Sequence, residues 1–144
     1  MMDGRTAPYA AFALRAALGA LFLAHAGLKL FVFTPAGTAA FFQSLGLPGA
    51  LAYVVIAAEV AGGAALLAGV YARVAALALV PVLLGSVATV HGAAGFFFNN
   101  PGGGWEFPAF WAVALLVQAG LGDGAFALLP TRRATPAALS VAAE

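Results

Sequence analysis

The feature that most limits what this chain can fold into is the run Pro8–Phe33. It is apolar along almost its whole length, yet it carries Arg15, His25 and Lys29. Roughly 20 consecutive apolar residues are enough to cross a bilayer as a helix, so this run is a membrane-spanning candidate. An ionisable side chain at the centre of such a helix costs about 2.5–3.5 kcal/mol on insertion scales. Groups of this kind face the interior of a helix bundle and find partners there. The search for function is a search for those partners.

Composition points the same way. Of the 144 residues, 64% are apolar and 8% are charged, against roughly 45–50% and 25% in soluble domains. With a mean hydropathy of +1.03, the chain lacks the polar side chains needed to cover a water-soluble globule. One integral membrane domain is the class that fits. The net charge of +1 supplies no basic field for nucleic acid. The sequence contains no cysteine. That excludes disulfides, thiolate metal sites and thiol redox chemistry within this chain.

The pattern along the chain predicts an all-α, polytopic fold: an antiparallel bundle of four transmembrane helices over about 8–33, 49–70, 73–91 and 105–129. Residues 1–7 form a short polar start, and Pro8 suits a first helical turn. Thr34–Pro48, punctuated by Pro35, Gly37, Gly46 and Pro48, reads as a loop or surface segment with Phe41, Phe42 and Leu45 at the interface. The tight connection Gly69–Arg73 makes its two helices antiparallel neighbours. Pro81 should kink the third helix. Gly92–Gly104 is a loop, and 130–144 is a weakly ordered tail with Arg132 and Arg133.

Lysine and arginine set the orientation. Arg5, Arg73, Arg132 and Arg133 lie on the termini and the second connection, so both termini are expected in the cytoplasm. Tyr9, Tyr71, Trp105 and Trp111 fall at or near predicted helix ends, as an interfacial aromatic belt would. A competing reading takes Arg5, the apolar Ala16–Ala24 and Ala24-His25-Ala26 as a secretory signal with its cleavage site. Arg15 interrupts that apolar core, and the run continues well past Gly27.

Depth follows from the helical rise of about 1.5 Å per residue. With each helix centred on the midplane, Arg15 lies roughly 8 Å and Asp123 roughly 9 Å towards the cytoplasm. They are opposite charges at one level, and the expectation is a buried structural ion pair. His25 lies roughly 7 Å and Lys29 about 13 Å outward, one helical turn apart on one face. Glu59 and Gln118 are near the midplane, and His91 and Glu106 are roughly 13–16 Å out. Arg73 is expected to reach lipid phosphate.

Two readings of the outer group stand side by side. In one, Lys29 neutralises Glu59 or Glu106 and the histidines serve only as hydrogen-bonding groups. In the other, Lys29, Glu59, His91, Glu106, His25 and Gln118 line a polar pocket that binds a small polar head group and moves protons. Bis-histidine haem is disfavoured because His25 and His91 differ in depth by about 6 Å. No metal motif is present. Phe96-Phe97-Phe98 beside Asn99-Asn100 reads as interfacial packing rather than a platform for a quinone.

Taken together, Arg15, Ala26-Gly27-Leu28-Lys29-Leu30, Glu59 with its glycines, Gly69-Val70-Tyr71-Ala72-Arg73, His91, Trp105-Glu106-Phe107-Pro108 and Gly120-Leu121-Gly122-Asp123-Gly124 resemble the DoxX family of small four-helix membrane proteins. The resemblance spans about Arg15–Leu129. It implies a multi-pass protein of the bacterial inner membrane. Some relatives are subunits of a thiosulfate:quinone oxidoreductase, and others belong to oxidative-stress and thiol-homeostasis complexes. The lack of cysteine departs from such a role, so sulfur electrons would come from a partner subunit. His25 lies outside the family pattern.

Three function classes follow. The first is a quinone-linked subunit of a membrane redox complex, with quinone as ligand and other subunits, or further copies of this chain, as partners in the lipid bilayer. The second is a non-catalytic membrane anchor. The third, a small proton-coupled transporter, is suggested by a midplane carboxylate and opposed by the lack of an inverted repeat.

Overall fold

The computed structural model describes residues 4–131. Five α-helices follow one another: α1 (Ala7–Gly27), α2 (Pro35–Ser44), α3 (Ala50–Ala68), α4 (Ala72–Ser86) and α5 (Glu106–Leu121). Two of them change pitch at one end. α1 continues as a π-helical turn, Leu28–Val32, and α4 continues as a second one, Val87–His91. No strand occurs among the described residues beyond an isolated bridge between Val70 and Leu129. The expected tail with Arg132 and Arg133, and Asp3 at the start, lie outside the described residues.

Among the described residues, three helical stretches are long and apolar enough to cross a membrane: Ala7–Val32, Ala50–Ala68 and Ala72–Ala94. α5 has 16 residues, which at about 1.5 Å each reach about 24 Å, short of the roughly 30 Å of a hydrocarbon core. The sequence reading carried this helix to Leu129. It stops at Leu121 because Gly122 turns to φ +93° and Gly124 to φ +71°. The chain then folds back over the α3–α4 turn. Ala125 N donates to Pro8 O at 2.9 Å, Leu129 N to Gly69 O at 3.0 Å and Tyr71 N to Leu129 O at 2.8 Å. Backbone that leaves a helix inside an apolar region must find partners in the protein, and Ala125, Leu128 and Leu129 find theirs on α1 and at the end of α3.

Thr34–Pro48, expected as a loop or surface segment, contains α2. Thr34 starts it: its Oγ1 accepts from Gly37 N at 3.1 Å, and Pro35 takes the first turn. Pro81 lies inside α4, which continues through it to Ser86.

Each long helix is apolar all round, so its hydropathy does not mark an inner face. Burial does. On α3 the buried positions are Ala52, Ile56, Glu59, Gly63 and Leu66; on α4 they are Ala72, Ala76, Leu79 and Leu83. Steps of four and three alternate, the spacing of a helix seam. Large apolar side chains elsewhere stay uncovered, among them Leu77, Leu84, Phe110 and Val113. In water this would be an outsized hydrophobic surface; in lipid it is the face that meets acyl chains.

α1 packs most extensively on α3, and α4 on α5, with α3–α4 and α1–α5 contacts joining the pairs. α1 and α3 cross at glycine: a Cβ on Gly19 would come within 2.7 Å of Gly63 O. Small residues allow such backbone approach, which is how helices associate in lipid without a hydrophobic drive. Gly62, on the next face of α3, accommodates Leu79 of α4. The core of Leu18, Phe22, Leu66, Leu79, Leu83, Trp111 and Leu115 lies between the helices.

Candidate functional site in the membrane-spanning region

The first partner question is answered by Lys29 and Glu59. Lys29 Nζ lies 2.8 Å from both carboxylate oxygens of Glu59. The Glu59 side chain is 5% exposed and that of Lys29 20%. Glu59 stands at the midpoint of α3. α1 and α3 run in opposite directions, as Gly19 against Gly63 and Arg15 against Leu66 require. In that register Glu59 lies below the level of Lys29. Helical side chains lean towards the N-terminus, so Lys29 reaches down α1 while Glu59 reaches up α3, and they meet. The π-helical turn that carries Lys29 closes with Phe33 N donating to Leu28 O at 2.8 Å. π-turns of this kind recur at functional sites.

An aromatic group occupies the neighbouring space. The Trp111 ring packs on Phe22 at 4.4 Å, on His25 at 4.9 Å and on Phe107 at 5.6 Å between centroids. Trp111 is 5% exposed, so it belongs to the interior and not to the interfacial belt in which the sequence reading put it. Its Nε1–H is buried without a hydrogen-bond partner. The sequence did hold a signal for this: Pro108, Trp111, Ala112, Leu115 and Gln118 form one stripe along α5.

The remaining expected pocket residues are distributed differently. His25 Nδ1 donates to Leu21 O of its own helix at 2.9 Å. His91 Nδ1 lies 2.6 Å from Gly103 O; a carbonyl only accepts, so Nδ1 carries the proton. Glu106 Oε1 accepts from Phe98 N at 2.9 Å. His91 and Glu106 therefore hold the loop between α4 and α5, and their hydrogen bonds go to its backbone rather than to Lys29 or Glu59. Gln118 is at the other end, where its Nε2 donates to Gly122 O at 2.7 Å. Among the described residues, no three of His, Cys, Asp and Glu gather into a metal-sized group.

At the α3–α4 turn, the expected Arg15–Asp123 ion pair is replaced by a different arrangement. Arg15 is fully buried. It donates from Nη1 to Leu66 O at 2.7 Å and Leu67 O at 3.0 Å, and from Nη2 to Ala125 O at 3.0 Å. Asp123 Oδ1 accepts from Ala72 N and Thr131 Oγ1, and Oδ2 from Thr131 N, each at 2.9 Å. The physical reason is that helix ends offer stronger local partners. The last carbonyls of α3 keep spare acceptor capacity, Leu66 O taking from the backbone only the long bond from Gly69 N at 3.3 Å, and carry the negative end of its dipole, while the first N–H groups of α4 carry the positive end. A guanidinium and a carboxylate meet those needs separately. Gly69 makes room: it ends α3 at φ +70°, and a Cβ there would lie 2.5 Å from Arg15 Nη1. Arg73, expected at the lipid surface, packs over Gly122 with Nη2 2.8 Å from where a Cβ would stand.

Residues 10–92 match the sequence pattern of the family described as DoxX. The chain belongs to the DoxX family. The DoxX match includes Arg15, His25, Lys29, Glu59, Arg73 and His91, and it leaves α5 outside. A protein of Bacillus subtilis (strain 168) bearing the name "Putative oxidoreductase CatD" is 37% identical over 86 residues, which are 60% of this chain and 63% of that protein. The chain thus spans less than two thirds of that relative's length. No solved structure matches it.

Proposed function

We propose that this DoxX-family chain is a subunit of a redox complex in the bacterial inner membrane. It would bind a quinone or another small substrate beside Lys29 and Glu59. In this reading α5 and its strap make the fourth span of an antiparallel four-helix bundle, with both termini in the cytoplasm. The observation that carries the proposal is the ion pair itself. Two opposite charges held in contact amid hydrocarbon cost more to desolvate than a pair of packed apolar side chains would, so stability alone is a weak reason to keep them. Intramembrane ionisable groups mark ligand or proton pathways. Lys29 supplies a donor and positive charge to a carbonyl oxygen, Glu59 a proton acceptor, and the buried Trp111 N–H a second donor in the same layer. A relative named as an oxidoreductase agrees with that chemistry. Because the chain has no cysteine, any thiol chemistry would belong to a partner subunit.

The test is binding of decylubiquinone to the full chain in lipid nanodiscs, read by quenching of tryptophan fluorescence. Lys29→Met and Glu59→Gln should each weaken binding about tenfold or more, the equivalent of about 1.4 kcal/mol. Unchanged affinity in both variants removes the site. A second reading, a non-catalytic anchor for other subunits, is favoured by one observation: Arg15, Asp123, His91 and Glu106 all have structural hydrogen-bond partners. It expects the same substitutions to lower stability and complex assembly while bound ligand is unaffected.

A further inference from the structure

A second polar place lies at the α3–α4 turn end of the fold, away from Lys29–Glu59. Arg15 and Gln118 are both fully buried. Each uses part of its hydrogen-bonding capacity on backbone carbonyls and has one atom left over: Nε of Arg15 and Oε1 of Gln118 are buried without a partner. One is a donor and the other an acceptor. The amide cannot be reversed, because Nε2 already donates to Gly122 O at 2.7 Å.

Two contacts show that these residues face each other's level. Phe22 packs on Trp111 at 4.4 Å, and Pro8 O accepts from Ala125 N at 2.9 Å. Arg15 precedes Phe22 by as many residues as Gln118 follows Trp111, on helices that run in opposite directions, so the two stand at one level, and Pro8 meets Ala125 beyond them. Between the same two segments is a cleft of about 410 Å³ lined by Ala7, Pro8, Ala11, Gly120, Leu121 and Gly124. Ala11 is one turn before Arg15, and Leu121 one turn after Gln118. Water takes up roughly 30 Å³ per molecule in the liquid, so the cleft has room for it.

We propose that a water molecule bridges Arg15 and Gln118, accepting from Nε–H and donating to Oε1, and that the cleft is its path from the aqueous phase. Buried polar atoms almost always have a partner, and internal water is the usual one where side chains cannot meet. The site is independent of what binds at Lys29–Glu59, which is 14 residues and about 21 Å further along α1. It makes this end of the fold a hydrated recess, so the buried guanidinium exchanges protons with water although no part of its residue is exposed.

The experiment is solid-state NMR of the ¹⁵N-labelled full chain in lipid bilayers, reading magnetisation transfer from water to the assigned Arg15 Nε–H. A clear transfer is expected in the wild type. Gly120→Leu should abolish it: a Cβ at Gly120 meets nothing within 4 Å, so the new side chain has space to block the cleft. Gln118→Met should abolish it by removing the second anchor. Retention of the Lys29–Glu59 contact signals identifies variants that are still folded. Absence of transfer in the wild type, or transfer undiminished in both variants, overturns the proposal.

Discussion

Arg15 and Asp123 lie at the same end of the fold and hold the two halves of one hairpin without bonding each other. Arg15 binds the carbonyl end of α3 and Asp123 the N–H end of α4. Only the three-residue turn Gly69–Tyr71 separates those ends. The strap after α5 completes the assembly, since Ala125 O accepts from Arg15 and Thr131 donates to Asp123.

A charge exchange distinguishes this arrangement from an ion pair. Arg15→Asp with Asp123→Arg would restore a simple pair. Here it should not rescue either single variant, because each new side chain then meets the wrong pole of a helix. Arg15→Met should be severely destabilising, at about 1–3 kcal/mol for each buried group left unpaired. Asp123→Asn, which keeps a capping oxygen, should cost about 1 kcal/mol or less. Thermal unfolding in nanodiscs reads each of these variants against the wild type.

The Lys29–Glu59 pair calls for a double-substitution cycle. Removing one partner leaves an uncompensated buried charge, a loss of about 3–5 kcal/mol. Lys29→Met and Glu59→Leu together leave two apolar side chains and should bring stability back to within about 1 kcal/mol of the wild type. If the double variant is stable but binds no quinone analogue, the pair serves function. If stability and assembly into a complex with other subunits are lost together, the anchor reading gains.

How much of this was legible in the sequence depends on what kind of partner a residue has. Long apolar runs with few charges announce the membrane helices, but depth alone sets Lys29 nearer Glu106 than Glu59; the lean of both side chains towards their helix N-termini is what joins Lys29 to Glu59. Depth gives a level but not a partner. Arg15 and Asp123 share a level, yet each bonds mainly to backbone groups, which every residue carries and no sequence pattern marks. The end of α5 is hard to read because Ala125–Leu129 is as apolar as the helix before it, although Gly122 and Gly124, which stop the helix, stand in the sequence. α2 was hidden by Pro35 and Gly37, which read as loop punctuation although Pro35 in fact opens a helical turn. Trp111 reads as interfacial because the predicted helix start lies nearby, whereas its three- and four-residue spacing to Pro108 and Leu115 puts it inside.

The crossing of α1 and α3 predicts a graded response to small side chains. Gly19→Ala puts a Cβ 2.7 Å from Gly63 O and 2.8 Å from Leu67 N. Backbone cannot move aside as a flexible side chain can, so the helices must separate, at about 1–3 kcal/mol as for other overpacked sites. Gly63→Ala, with its nearest contacts at 3.1 Å, should cost less. Gly120→Ala, with open space around it, should be neutral within about 0.5 kcal/mol. Equal stability of the Gly19 and Gly120 variants would contradict the close crossing.

Three side chains hold the loop between α4 and α5. His91 holds Gly103 O, Asn100 Nδ2 donates to Ala94 O at 2.8 Å, and Glu106 receives Phe98 N. These three side chains bind a segment that also bonds to itself, with Gly104 N donating to Phe97 O and Trp105 N to Gly95 O, both at 3.0 Å. His91→Phe keeps a ring of similar breadth and removes the hydrogen bond to Gly103. Amide exchange across 95–105 should then accelerate, because local opening no longer has to break that bond. Exchange around Glu59 should stay as in the wild type, since His91 makes no hydrogen bond to the Lys29–Glu59 pair. Quinone-analogue binding separates two roles for the imidazole. If His91→Phe accelerates exchange and leaves binding intact, His91 acts on the loop alone; if binding falls in proportion to loop opening, the loop covers the site.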